Sequence, residues 1–550
     1  MNVRGLAAAL FVIAAACTGV SAADTPRMRA SDATALRTDL RAAWTAIQRY
    51  HPAPFHKTDR ATFVRAFEAL DRRLPSLSRA DGFASLSRFV ALVREAHTGL
   101  DLGADSAAKF HTFGLKLYPY ADGVAVQAAE PALRELAGAR LVAVDGVPAD
   151  DVIRRVTPYA HASNAMTVRW VLPFLLRPEI LHAAGVTREP LAATMRFALP
   201  NGTRVERRIV PAEQKALAGF NPFRLGPAAD WTDARPANAP VPLYLRHPDR
   251  AYWFEMDDAT RTLYIQDNLV VNQGDETLSA FFTRAIASAH DRSPERVVLD
   301  LRLNGGGDNT LLEPIITALA ADPVVNRRDR FFVILGRQTQ SAAENFVDRL
   351  ERRTRARFVG EPTGESPNMY GDAVAFTLPA TGIVLHLSSL YWQDALPYDP
   401  RDWTPPEVAA ELTIADYAAG RDPALEAIVA GPPPSSTAAL LPAIEKDDAN
   451  AIVRDGAAWF ALATHRYADP WESLQNLAAY ASGTSKPHAA LAILQLAVMR
   501  HPERAFAHDD LADALAEAGR RDEARAAYRA ALANNPRDAR AAAALGLRSI

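Results

Sequence analysis

A mostly apolar segment that leads into three glycines constrains the fold of this chain more than any other feature. Arg296–Leu301 has the composition of a strand buried on both faces of a sheet, and Gly305-Gly306-Gly307 follows after three residues. Glycine tolerates backbone angles that other residues avoid, so several amide N–H groups in such a turn can point at one spot. Leu311–Ala320 then has the pattern of a helix. The segment therefore predicts a strand, a tight turn and a helix.

The alternation of strands and helices continues over residues 251–430. Phe331–Leu335 is a second buried strand, and Ala342–Leu350 and Glu276–His290 have the apolar spacing of amphipathic helices. Strands that alternate with helices indicate a layered α/β domain. This region is the predicted core of the molecule.

The flanking regions differ from this core in composition and periodicity. Helical spacing dominates the N-terminal part, and short apolar runs separated by turns dominate the next part, with a helical insert. The predicted units are residues 25–110 (helical), 111–215 (strand-rich, with the insert at about 162–182), 216–250 (connector), 431–440 (Pro-rich linker) and 441–550 (helical, alanine-rich).

The last unit carries an internal repeat. Pro502 and Pro536 occupy equivalent positions, since each follows a predicted helix and precedes an alanine-rich one. Their separation equals the tetratricopeptide period, a helix-turn-helix unit of about 34 residues. Such repeats stack into a concave surface that binds peptides or proteins. We expect a protein partner there, and the alternative is an ordinary helical cap on the α/β core.

The first 22 residues predict a cleaved secretory signal peptide. Arg4 is followed by the apolar stretch Leu6–Ala16, which is too short to span a bilayer, and Val20-Ser21-Ala22 provides the small residues of a cleavage site. We therefore expect a periplasmic or secreted protein with no transmembrane segment. Lipid attachment at Cys17, which would anchor the protein to a bacterial membrane, is the alternative.

Charge and cysteine content exclude several classes of function. With 61 Lys and Arg against 64 Asp and Glu, the formal net charge is −3, which argues against nucleic-acid binding. The single cysteine, Cys17, excludes a disulfide framework, a Cys-based zinc site and a Cys nucleophile in the mature chain. The chain has neither a phosphate-loop motif nor His-Glu-x-x-His. We expect no metal and no cofactor.

Ser341 lies between a predicted strand and a predicted helix, and its surroundings allow two interpretations. Serine is a favoured N-cap, and Glu344 three residues later would complete a capping box. The same position would direct a hydroxyl to the helix N-terminus, where free N–H groups stabilise negative charge.

The glycine segment and the Ser341 segment together resemble the C-terminal processing, or tail-specific, serine peptidases. The resemblance is to the branch of the tricorn core protease and the interphotoreceptor retinoid-binding protein modules. Val298–Gly307 is similar to the family's oxyanion strand, Thr339–Glu344 to its nucleophile segment, and Gly360-Glu361-Pro362-Thr363-Gly364 to its Gly-Glu-x-Thr stretch. Residues 121–153 resemble a degenerate PDZ-like module.

The resemblance implies a fold and a set of site residues. The fold is α/β, with a crotonase-like catalytic domain, an N-terminal helical domain, a PDZ-like β-rich module and a C-terminal all-α repeat region. The implied residues are Ser341 as nucleophile, the amides of Gly306 and Ala342 as oxyanion donors, and Gly305, Gly307 and Tyr370 as substrate-binding residues.

The family's best-known branch uses a lysine base, and this chain has no lysine between Lys215 and Lys446. His97, in Arg94–Leu100, is similar to the histidine base of the tricorn-like branch. The third catalytic residue is open among Asp399, which we prefer, Asp402 and Glu344; the two aspartates follow Ser341 at about the distance at which the related enzymes place a carboxylate.

The implied function is a secreted serine peptidase that acts on peptides or proteins. One alternative is an inactive peptide- or ligand-binding protein on the same fold, and another is a scaffold that acts through its repeats. Hydrolysis of a non-peptide acyl compound is a third.

Overall fold

The computed structural model describes residues 28–217, 221, 225–226, 230–397 and 399–547. The predicted signal peptide and Cys17 lie outside these residues. Within the described part of the chain, every helix is too short or too polar to cross a bilayer.

Helices open the described chain. They are α1 (Ala30–Tyr50), α2 (Arg60–Arg73) and α3 (Arg79–Val90). Asp59 and Ser78 cap α2 and α3 by accepting hydrogen bonds from backbone N–H groups in the first turns. Each helix buries one apolar stripe, as the sequence pattern predicts.

An antiparallel sheet follows the N-terminal helices. The elements from residue 99 to residue 233 are β1 (Gly99–Leu100), β2 (Leu115–Tyr120), β3 (Gly123–Ala129), β4 (Arg140–Val144), β5 (Val147–Pro148), α4 (Ala149–Val156), α5 (Ala165–Leu175), α6 (Pro178–Ala183), β6 (Ala193–Ala198), β7 (Arg204–Ile209) and β8 (Thr232–Asp233). The strand order in the sheet is β2-β3-β4-β6-β7; β5 pairs with β4, and β8 pairs with β3. Buried side chains of α1–α3 and of this sheet form one continuous apolar core. The two N-terminal units predicted from the sequence therefore pack as one body.

The predicted α/β core contains a second sheet. The elements of this region are β9 (Tyr252–Asp257), β10 (Thr262–Asp267), α7 (Leu278–Arg292), β11 (Arg296–Asp300), α8 (Leu312–Ala321), β12 (Phe331–Leu335), α9 (Ala342–Arg353), β13 (Arg357–Gly360), β14 (Asn368–Thr377), β15 (Val384–Gln393), β16 (Val408–Ala409), α10 (Ile414–Ala419) and α11 (Pro423–Ala430). The strand order in this sheet is β16-β13-β12-β11-β10-β9. Strands β10 to β13 run parallel, and β9 is antiparallel to β10. Helices α7–α9 cover one face of the sheet, and α11 packs on the other. The mixed α/β architecture with helical ends is confirmed.

A long β-ribbon, formed by β14 and β15, is a feature that the sequence analysis does not predict. It forms a third sheet with the order β1-β15-β14, which joins the N-terminal body to the α/β region. Tyr370-Gly371-Asp372 lies inside β14. Residues 372–375 are all exposed, so this part of the strand lacks the alternation of burial that marks a half-buried strand.

The C-terminal part is entirely helical in its regular structure. Its helices are α12 (Ser436–Glu445), α13 (Ala449–Ala461), α14 (Trp471–Gly483), α15 (Pro487–Arg500), α16 (Ala505–Glu517), α17 (Arg521–Asn534) and α18 (Ala539–Ala544). Helix α12 begins at Ser436, inside the predicted linker 431–440. The start of α16 follows the start of α14 by the same interval that separates Pro536 from Pro502, and so does the start of α17 after α15. The helices thus keep the period of the sequence.

Asp39 fastens α1 to the hairpin loop between β14 and β15. Its buried carboxylate accepts hydrogen bonds from the N–H groups of Ala380 (2.9 Å) and Thr381 (3.0 Å) and from the Thr381 hydroxyl.

We predict that Asp39→Ala lowers the free energy of unfolding by about 2 kcal/mol or more, since buried donors lose their acceptor. Calorimetric melting checks this, with Asp39→Asn, which keeps one acceptor oxygen, expected to be milder. An unchanged melting profile in Asp39→Ala would contradict the role of this contact.

Candidate active site

Three loops that follow neighbouring parallel strands meet at one edge of the α/β sheet. They are residues 301–307 after β11, 336–341 after β12 and 361–365 after β13. The carboxyl ends of adjacent parallel strands lie on the same edge, which is the usual place for sites in such sheets. The topology therefore brings the glycine segment, Ser341 and Glu365 together.

Ser341 occupies the residue before α9 in a strained conformation. Its φ is 56° and its ψ is −128°, a combination that a non-glycine residue rarely adopts. Its side chain makes no capping hydrogen bond to the helix. The buried Glu344 side chain instead accepts hydrogen bonds from the hydroxyls of Thr363 (3.0 Å) and Thr404 (2.9 Å). The capping-box interpretation therefore fails, and Ser341 stands at the helix N-terminus in a strained backbone.

The glycine segment packs against this serine. A Cβ atom at Gly306, whose φ is +108°, would lie 2.6 Å from Ser341 Cβ and 3.1 Å from the Ala342 backbone nitrogen. At Gly307 it would lie 2.2 Å from the carbonyl oxygen of Val270. Both positions therefore require glycine.

The Gly306 amide, predicted as an oxyanion donor, donates its hydrogen to Asn304 Oδ1 at 2.9 Å. This N–H group is therefore occupied by a hydrogen bond within the loop. The backbone nitrogen of Ala342, the other predicted donor, lies in the first turn of α9, where the helix dipole favours negative charge.

His97 reaches the site from the loop before β1. Its Nδ1 lies 3.0 Å from Glu365 Oε1, and its Cε1 lies 4.0 Å from the position that a Cβ of Gly371 would take. Neighbouring residues fix this loop, because the Thr98 hydroxyl donates to Glu95 and accepts from Ser388 N–H at 3.1 Å. The histidine therefore lies between the N-terminal body and the β-ribbon.

Glu365 is the residue that joins these parts. Its fully buried carboxylate contacts His97 through Oε1 and accepts the Ser341 N–H through Oε2 at 2.6 Å. The Thr167 hydroxyl donates to the Gly364 carbonyl and holds the segment against α5. The sequence analysis does not identify Glu365 as a site residue. The order of the parallel strands could have indicated it, since this order places the loop after β13 beside the loop that carries Ser341.

The three carboxylates predicted as third catalytic residue lie elsewhere. Asp399 accepts hydrogen bonds from the guanidinium of Arg401 at 2.8–3.0 Å. Asp402 is exposed, and its backbone carbonyl accepts hydrogen bonds from Asn164 Nδ2 at 2.7 Å and from the Ser366 hydroxyl at 3.2 Å. Glu344 is held by the two threonine hydroxyls. The structure thus brings His97 and Ser341 to Glu365, and Asp399 to Arg401.

The electrostatics of the site favour a charged His97. Burial alone lowers the pKa of this imidazole, but the carboxylate of Glu365, with smaller contributions from Glu95 and Asp372, raises the pKa to about 9. At neutral pH the resting site therefore holds an imidazolium–carboxylate pair.

An aromatic and imidazole cluster borders the site. The ring of Tyr370, predicted to bind substrate, lies 4.7 Å from His56, 5.1 Å from His51 and 4.8 Å from Tyr391 between ring centroids. His51 Nδ1 accepts the Ala53 N–H and its Nε2 donates to Glu95 at 2.8 Å, which fixes the imidazole in one tautomer. Within the described residues, no group of three or more His, Cys, Asp or Glu side chains is arranged to hold a metal ion.

Comparison with known proteins finds similarity to solved structures only. No family model matches the chain, and no curated protein matches it. Mature CPAF complexed with lactacystin is similar over 71% of this chain and 96% of its own, with 15% identity and a TM-score of 0.49. The photosystem II D1 C-terminal processing protease (68% and 92%, 14% identity, TM-score 0.32) and the tricorn protease (72% and 36%, 15% identity, TM-score 0.33) are also similar. Because these TM-scores are below 0.5, the assignment of the site depends on its own geometry and not on these similarities.

Gly306 and Gly483 offer a controlled test of this geometry. We predict that Gly306→Ala lowers kcat/KM for ester or peptide hydrolysis by about 100-fold or more, because the new methyl group displaces Ser341. Gly483→Ala should be mild, since Gly483 is exposed in α14 and a Cβ there would meet nothing within 4 Å. Steady-state kinetics with melting temperatures checks both variants. Equal losses of activity in the two would contradict the close packing of Gly306 on the nucleophile.

Proposed function

We propose that this protein is a serine hydrolase, and most specifically a serine peptidase, that uses Ser341, His97 and Glu365. One observation carries the proposal: a single buried carboxylate contacts the backbone of the strained serine and Nδ1 of the histidine. A nucleophile, a base and a residue that orients the base are the elements of such a site. The contacts of Glu365 support it in the orienting role for which the sequence analysis preferred Asp399.

The proposed reaction begins when neutral His97 accepts the proton of the Ser341 hydroxyl, whose oxygen attacks a carbonyl carbon. Glu365 holds the imidazole and stabilises the imidazolium that forms. The Ala342 N–H at the start of α9 binds the oxyanion, while the Gly306 N–H stays on Asn304. The imidazolium then protonates the leaving group, and water hydrolyses the acyl-enzyme through the same base.

The domain types, the repeats and the export expected from the sequence are also part of this proposal. We propose a crotonase-like catalytic domain, a PDZ-like module in the strand-rich region, and tetratricopeptide repeats in α14–α18 that bind a protein partner. Export by the predicted signal peptide would place the enzyme in the periplasm or outside the cell. The equal spacing of α14 to α16 and of α15 to α17 supports the repeats.

Covalent labelling tests the assignment of residues. We predict that a fluorophosphonate labels the wild type, that Ser341→Ala and His97→Ala abolish labelling, and that Glu365→Gln slows it by about 100-fold or more. Asp399→Asn should slow labelling far less than Glu365→Gln, because Asp399 contacts Arg401. Gel fluorescence against time measures each rate. Labelling of Ser341→Ala would exclude this nucleophile, and loss in Asp399→Asn alone would return the role to Asp399. A wild type that does not label would favour the inactive binding protein.

The pKa of His97 predicts the pH profile. A base must be neutral to accept a proton, so kcat/KM should rise with pH through about 9 in the wild type. Glu365→Gln removes the carboxylate that raises this pKa, and the rising limb of its residual activity should shift to lower pH. Initial rates from pH 5 to pH 10.5 check this. An identical limb in both proteins would show that Glu365 does not set the ionisation of His97.

A further inference from the structure

Two buried carboxyl groups of α9 meet at one threonine hydroxyl. Glu344 and Asp348 are one helical turn apart, so they lie on the same face of the helix, and both are fully buried. Oε1 of Glu344 lies 2.9 Å from the hydroxyl oxygen of Thr404, and Oδ1 of Asp348 lies 3.2 Å from the same oxygen. One hydroxyl group thus connects two buried acids.

This contact lacks a hydrogen if both acids are ionised. A hydroxyl group has a single hydrogen to donate, and an ionised carboxylate only accepts hydrogen bonds. Thr404 can therefore donate to Glu344 or to Asp348, but not to both. The other contact becomes a hydrogen bond only when the carboxyl group carries a proton and donates it to the Thr404 oxygen.

The pair has no cationic partner within the part of the chain that the structure describes. Neither Glu344 nor Asp348 forms an ion pair there, and Oε2 of the first and Oδ2 of the second have no hydrogen-bond partner among those residues. Arg401, on the loop after β15, is paired with Glu351 and Asp399. Two buried carboxylates without a cation would repel each other, so burial favours a protonated form.

The neighbouring acidic groups add to this negative environment. Glu365 is paired as described above, and Asp394, directly after β15, accepts a hydrogen bond from the guanidinium of Arg349. Burial raises the pKa of both Glu344 and Asp348 well above the usual values, and the charge of Glu344 raises the pKa of Asp348 further. Geometry and electrostatics therefore both favour a proton on the pair.

The same contacts hold the segment that carries Glu365. The Thr363 hydroxyl oxygen lies 3.0 Å from Oε1 of Glu344 and 3.1 Å from the carbonyl oxygen of Glu365. Thr363 and Thr404 also bind each other, because the Thr404 N–H donates to the Thr363 hydroxyl oxygen at 2.9 Å and the Thr363 N–H donates to the Thr404 carbonyl at 3.2 Å. Glu344 thus anchors the chain two residues before the carboxylate that contacts the serine and the histidine.

We propose that Glu344 and Asp348 share a proton and, through the two threonines, act as positioning residues that keep the Glu365 carboxylate beside His97. The inference rests on the proposed function, because it deepens the orienting role of Glu365. The shared proton lets the pair donate and accept at the same place. The Asp348 carboxyl group donates to the Thr404 oxygen, and the Thr404 hydroxyl donates to Glu344.

Infrared spectroscopy at neutral pH tests the shared proton, because a carboxylic acid absorbs at a higher frequency than a carboxylate. The double variant Glu344→Gln/Asp348→Asn keeps the size and the hydrogen-bonding groups of a protonated pair. We expect its carboxylic-acid band to be weaker than that of the wild type by the intensity of at least one group. Glu351→Gln is the matched control, because Glu351 lies on the same helix in an ion pair with Arg401, and it should keep the wild-type band. An equal band in the double variant and the wild type would overturn the shared proton.

The pKa of His97 tests the positioning role. It is measured by nuclear magnetic resonance on protein with isotope-labelled histidines, and His97→Ala identifies the signal. Glu344→Met fills the same space without a hydrogen bond, so Glu365 should move and the pKa of His97 should fall from about 9 by about 1 or more. Labelling by a fluorophosphonate should slow by about tenfold or more in the same variant.

Two further variants make this measurement specific. Glu344→Gln removes the same charge as Glu344→Met but keeps the hydrogen bonds, so the pKa of His97 should stay close to the wild-type value. Thr363→Val removes the hydroxyl group alone and should lower the pKa of His97 in the same direction, also where Glu344→Met does not fold. A wild-type pKa of His97 in every folded variant of this set would overturn the positioning role, since a merely structural contact would change the melting temperature only.

Neither measurement depends on catalysis, so the two proposals can fail separately. A labelled wild type without the infrared difference or the change in the pKa of His97 overturns this inference and leaves the hydrolase standing. A wild type that shows both signatures but is not labelled overturns the hydrolase alone.

Discussion

The carboxylate of Glu365 is the interaction on which the rest of the site depends. It joins Ser341 of the α/β domain to His97 of the N-terminal body, residues that lie far apart in the chain. A buried carboxylate is stable only when it is paired and hydrogen-bonded, so it selects the arrangement in which both partners are present. Glu365 therefore adds a charged contact to the strand pairing and hydrogen bonds that already join the two bodies, so a disturbance of either body should reach the candidate site.

The surroundings of Glu365 explain why it can hold this position. Its segment follows β13, directly beside the loop that carries Ser341, and the Gly364 N–H donates to the Thr339 carbonyl at 3.0 Å. A second support comes from the helical insert, where Asn164 caps α5 and its amide group also donates to the carbonyls of Thr363 and Asp402. The insert thus holds the segment that carries Glu365, and it forms part of the wall of the candidate site.

The local parts of this arrangement could be predicted from sequence, and the non-local parts could not. Strand β12 and helix α9 follow from runs of apolar residues, and Ser341 and the glycines follow from the junctions between such elements. Glu365 has no local signature, because its role comes from the contact between two loops. The β14–β15 ribbon is missed for a related reason, since exposed residues 372–375 carry no burial period. Its strands are defined by their pairing with each other and with β1.

The high pKa of His97 and its proposed role as a base depend on the same interaction. With a pKa of about 9, most of the imidazole is charged at pH 7, so the neutral base of the proposed reaction is the minority form. The transition state of that reaction contains an imidazolium, which the Glu365 carboxylate stabilises and orients. Removal of Glu365 therefore has two opposing effects: a larger fraction of His97 is neutral, and the transition state is less stable. The net loss of rate measures how much the charged pair contributes to the proposed reaction.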